Sequence, residues 1–115
     1  MEVIKQFLSN HVPVSEIDWN IISDKFICRK LPKKTILLRT GEIENHIHFL
    51  ERGVIREYMP QTDSELTFDF TFQNQFFSAY WSFLHRSPNQ YHMQTLTETT
   101  LWSASYQDLQ QIYQT

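Results

Sequence analysis

The chain has 115 residues, the size of one domain that can bury its own core without disulfides or a metal. Hydrophobic residues make up 41% and aromatic residues 15%, with 2 glycines and 4 prolines, which excludes a disordered or low-complexity chain. A net charge of −3 lacks the basic footprint of a nucleic-acid binder, and the short apolar runs are not those of a membrane span. The N-terminus shows no signal-peptide core. The single cysteine, Cys28, fits a reducing compartment, so a cytoplasmic protein is expected.

Val3, Ile4, Phe7 and Leu8 recur at helical spacing and predict a helix over residues 2–9, ended by Pro13. Ser15 stands three residues before Asp18, a variant capping box. Behind it Ile17, Trp19, Ile21, Ile22, Phe26 and Ile27 predict a second helix over 15–28. Arg29 and Lys30 would sit at its dipole-favoured end, and Pro32 closes it.

From Lys33 the period changes to two. Strands are expected over 35–39, 45–51 and 54–59, with turns at Gly41 and Gly53. In the second of these, Ile47 and Phe49 share one face, and His46 and His48 the other. After a turn at 60–64, residues 65–72 alternate Leu66, Phe68, Phe70 and Phe72 with Thr67, Asp69 and Thr71. Residues 76–84 are aromatic and unperiodic, read as a short helix, and 85–90 form a loop. Strands over 91–96 and 100–104 lead to a final helix, in which Ser105 and Asp108 form a capping-box-like start. This order predicts a single domain over 1–115: N-terminal helices in 1–30, a β-roll over 33–104 and a closing helix from 105. The fold class is mainly β with flanking helices, a double-stranded β-helix or jelly-roll-like β-roll.

The ordered set of segments resembles the cyclic-nucleotide-binding domain of bacterial Crp/Fnr transcription regulators. Ile36-Leu37-Leu38-Arg39-Thr40-Gly41-Glu42 is similar to that family's first strand and glycine turn. Residues 47–56 are similar to its next two strands, the 76–84 block to its phosphate-binding cassette, and 96–109 to the last strands and closing helix. The resemblance implies a small-molecule effector domain that signals through its C-terminal helix. Tyr106, Leu109, Ile112 and Tyr113 would form the face continuing into a homodimer, and DNA would be met only by a helix-turn-helix domain beyond Thr115. The resemblance leaves two expectations open: the chain is part of a longer regulator, or it is a stand-alone sensor. The cassette positions implied for ligand contact are Phe77, Ser78, Ala79, Tyr80, Trp81, Arg86, Asn89 and Gln90. Phe77-Ser78-Ala79 replaces the family's Phe-Gly-Glu, and Pro88-Asn89-Gln90 its Pro-Arg-small. The usual phosphate and ribose contacts of cyclic AMP are therefore missing, and no cofactor is expected beyond a small effector.

The second reading is a metal-binding cupin-type protein. His46 and His48 point the same way on a strand, and His92 on a later strand would complete a ligand set. Against it stands ordinary strand surface, and the cupin glycines are missing. Tyr80 and Trp81 combine aromatic walls with polar handles that suit a ligand, whereas the neighbouring phenylalanines suit a core. Cys28 beside Arg29 and Lys30 has the setting of a redox thiol, although a buried structural cysteine is the commoner case. Glu42, Glu44 and Glu51 imply no acid–base pair, and no Ser/His/Asp set is evident, so no enzyme is expected.

Overall fold

A computed structural model of the protein describes Asn20 and residues 23–113. The helix expected over 2–9 lies outside these residues. The one expected over 15–28 ends early: Asn20 and Ser23 are helical, but the chain is extended from Ile27 onward. The described residues form eight strands: β1 (Ile27–Leu31), β2 (Ile36–Leu38), β3 (His46–Arg52), β4 (Ile55–Pro60), β5 (Glu65–Thr71), β6 (Gln75–Phe77), β7 (His92–Thr95) and β8 (Thr99–Ser105). Helix α1 (Tyr80–His85) interrupts them between β6 and β7, and α2 (Tyr106–Tyr113) follows β8.

Residues 27 and 28 read as the end of a helix because Phe26 and Ile27 continue a three-to-four spacing. Pairing with β8, from Ile27 opposite Ser103 to Leu31 opposite Thr99, holds 27–31 extended instead. Arg29 and Lys30 are thus exposed edge-strand residues, not a helix terminus. The aromatic block also divides. Phe76 and Phe77 pair with Phe49 and His48 as strand β6, and only from Tyr80 does the chain become helical.

The strands form two antiparallel sheets, ordered β1-β8-β3-β6 and β2-β7-β4-β5. The core lies between them, built of Leu38, Leu50, Ile55, Phe77, Met93 and Leu101, with Ala79 beneath α1. Gly41 and Gly53 turn the chain with φ of 93° and 112°, in the left-handed region that L side chains avoid. A β-bulge lies in the β4–β5 ladder. Tyr58 faces Thr67 and Glu57 faces Asp69, leaving Phe68 as the extra residue. The bulge interrupts the alternation expected over 65–72, and Leu66, Phe68, Phe70 and Phe72 are all about half exposed. At the far end the Asp108 N–H donates to Ser105 Oγ at 3.1 Å, the expected cap of the last helix. The Tyr106 N–H donates to Asn45 O at 2.7 Å, fixing α2 to the start of β3.

Candidate functional site

Between the β4–β5 hairpin, β6 and α1 lies an open cleft of about 840 Å³. Tyr80 and Trp81 reach it from α1, Tyr91 from the start of the β7 segment, and Glu57 and Asp69 from the hairpin floor. A second cavity of about 730 Å³ shares Trp81 and Tyr91 with the first and is otherwise walled by Met59, Phe68, Asn89 and Gln90. Strand alternation accounts for the floor. Ile55 and Glu57 lie two residues apart on β4, so both face inward, the first into the core and the second into the cleft.

Glu57 is the unusual group. Its residue is only 9% exposed, and its carboxylate has no hydrogen-bond or ion-pair partner among the described residues. Burial above all, with Asp69 and Glu44 nearby, pushes it up from 4.5 to about 7. Burial also raises the phenols of Tyr80 and Tyr91, the latter to about 12, with Glu57 contributing to both. Among the described residues no lysine or arginine lines the cleft.

The sequence-predicted cassette residues divide into three groups. Phe77, Ser78, Tyr80 and Trp81 line the cleft. Ser78 also donates through Oγ to His46 O at 2.8 Å. Asn89 and Gln90 line the second cavity instead, and Asn89 braces the Gly41 turn: its N–H donates to Glu42 O at 2.8 Å and its carbonyl accepts from Gly41 N–H at 2.7 Å. Ala79 and Arg86 point elsewhere. Ala79 is 1% exposed, and its N–H meets the Glu44 carboxylate at 3.4 Å, so the chain's own anion takes that amide. Arg86 is the left-handed cap of α1, with φ 54°. It donates to Glu44 O at 2.9 Å, Phe83 O at 3.1 Å and Asn45 Oδ1, and its guanidinium lies 3.9 Å from the Tyr106 ring centroid.

The histidine reading is corrected. His48 is 3% exposed, on the inward face of β3, with its ring 4.8 Å from Phe77. Phe49 is fully buried on the opposite face, against Phe76, so β3 is covered on both sides. His48 Nδ1 shares a 2.7 Å hydrogen bond with Ser103 Oγ, and its Nε2 faces Glu44 Oε1 at 3.8 Å. Burial alone would raise the Glu44 carboxyl, but His48 and the amides of Ala79 and His46 together hold it below its ordinary value. This Ser103–His48–Glu44 set, unseen in the sequence, is buried and borders neither cavity. His92 belongs to the other sheet, where its ring packs on Tyr58 at 5.1 Å and its Nδ1 accepts the Thr40 N–H. Among the described residues no three His, Cys, Asp or Glu side chains are gathered to hold a metal. Cys28 is exposed on β1 rather than buried.

Sequence reasoning missed Glu57, Asp69 and Tyr91. The available signal was Asp69, a charged residue in the middle of a phenylalanine-rich strand where acidic residues are disfavoured.

The sequence model of the family described as cyclic nucleotide-binding domain matches residues 28–115, and the chain belongs to that family. Its fold is that of Crp/Fnr sensor domains. It superposes on the sensor domain of the transcriptional regulator DNR from Pseudomonas aeruginosa with a TM-score of 0.81 at 20% identity, covering 97% of this chain and 78% of that one. The catabolite activator protein of Thermus thermophilus matches with a TM-score of 0.74 at 16% identity over 94% of this chain and 49% of its own. The regulatory domain of Toxoplasma gondii PKA, crystallised with cAMP, gives 0.78 at 18% identity, covering 96% and 42%. The chain thus spans about half the length of the activator protein. No curated protein sequence matches it.

Proposed function

We propose that this domain senses a small effector in the cleft and reports it through α2. The observation that carries this reading is the double contact of α1. One side of the helix presents Tyr80 and Trp81 to the cleft. On the other, Phe83 packs edge-on against Tyr106 at 5.2 Å, and the capping Arg86 stacks on the same ring. An occupant that moves Trp81 therefore moves the anchor of α2. A shift between two such arrangements is how effector occupancy becomes a signal. Tyr106, Leu109, Ile112 and Tyr113 would carry it to a second copy along α2. DNA would be contacted by a further domain of a longer cytoplasmic regulator. Cyclic AMP is not favoured as the effector, because among the described residues no cationic side chain lines the cleft to meet a phosphate.

The test is an amide NMR titration of the chain with a cleft ligand. Resonances of α2 should shift together with those of Trp81 and Tyr91. In Tyr106→Ala the shifts should stay confined to the cleft. Equal propagation in the variant would sink the coupling.

A further inference from the structure

Glu57 and Asp69 stand directly opposite each other on neighbouring strands and line the same cleft. Directly opposed like charges weaken an antiparallel ladder, and nothing among the described residues compensates them. Asp69 Oδ1 accepts a local hydrogen bond from the Phe70 N–H at 2.8 Å. Glu57, nine-tenths buried, accepts none. The one arginine of the cassette is turned away to Glu44, Asn45 and Tyr106. Around the carboxylates stand the rings of Tyr80, Trp81, Tyr91 and Phe70. Aromatic faces, a buried carboxylate and the exposed carboxylate opposite it attract the same partner, a cation carried on an apolar body.

We propose that the effector is an organic cation: a protonated amine whose ammonium group sits between Glu57 and Asp69 while its apolar body stacks among Tyr80, Trp81 and Tyr91. This rests on the effector-domain reading and specifies its ligand class. The cation neutralises a carboxylate that is otherwise unpaired, so binding favours the ionised form of Glu57 and releases a proton where that group is still protonated. A cyclic nucleotide, carrying a phosphate anion, would meet repulsion at the same floor.

The test compares three probes in NMR titrations of the chain: tryptamine, its neutral isostere tryptophol, and cyclic AMP. Tryptamine should bind at least tenfold more tightly than tryptophol, shifting the Trp81 indole signal. Glu57→Gln, which preserves shape and removes the charge, should erase that preference, and Asp69→Asn should reduce it. Glu42→Gln, outside the cleft, should leave it intact. Equal binding of tryptophol, or tighter binding of cyclic AMP, would overturn the cation assignment and leave the effector domain standing. Absence of binding by all three would overturn both.

Discussion

The guanidinium of Arg86 covers the ring of Tyr106 at 3.9 Å, tying the end of the cleft helix to the first residue of α2. The same side chain donates to Glu44 O, Phe83 O and Asn45 Oδ1, so it joins β3, α1 and α2 at one point. Arg86→Ala should cost about 2–4 kcal/mol, combining lost charged hydrogen bonds with a lost cation–π contact. Arg86→Gly should lose about 1 kcal/mol less, because the position has φ 54°. Urea unfolding midpoints of the two variants check this. A neutral Arg86→Ala would mean the joint does not hold the elements together.

The two glycines should behave differently. A Cβ at Gly53 would lie 2.6 Å from Thr99 Oγ1 and 2.9 Å from the Glu98 carbonyl, in addition to its φ of 112°. At Gly41 nothing lies within 4 Å, so only the backbone conformation opposes a side chain. Gly41→Ala should therefore cost about 1 kcal/mol and Gly53→Ala about 3 kcal/mol or more. Equal losses in thermal or urea unfolding would contradict the crowding at Thr99.

Glu57 has a testable pH signature. Its folded value, about 7, lies above its ordinary 4.5. The folded state therefore binds more protons between those values, and stability declines as pH rises through that window. Asp69 on β5, Glu44 before β3, Tyr80 on α1 and Tyr91 before β7 are the titratable groups around it. Glu44 and His46, both lowered, change stability in the opposite direction, so the informative quantity is the difference from a variant. Glu57→Gln should gain on the order of 1–3 kcal/mol over the parent at pH 8, and nothing at pH 4. A pH-independent difference would show that the group is not displaced.

Cys28 is exposed on the edge strand β1. Its thiol should react with a disulfide reagent in the native protein as readily as after unfolding. Labelling that requires denaturant would place it under a cover.

Local chemistry made much of the fold legible. The glycine turns, the alternation of β3, and the Ser105 cap each depend on residues a few positions apart. Which face of a strand turns inward did not follow from that alternation. Phe49 looked like the core face of β3, yet Phe76 covers it from the other side and His48 faces the interior. Strand β1 was hidden because its extended state comes from pairing with β8, some seventy residues away. The short helix within 76–84 was legible in sequence, but the direction of Arg86 depends on the left-handed cap of α1. The Glu57–Asp69 pair was least accessible. Counting back from Pro60 opposite Glu65 puts Phe68, not Asp69, opposite Glu57, and only the bulge moves the acid into place.

That bulge has a consequence for solubility. Strand β5 is the outer strand of its sheet and exposes several phenylalanines, the pattern of a template on which another chain could add. Asp69, exposed beside the bulged Phe68, is a gatekeeper against such growth: a newcomer pairing along β5 meets a kinked ladder and a charge. The residue that gives the cleft its negative floor also protects the sheet's free edge from open-ended addition.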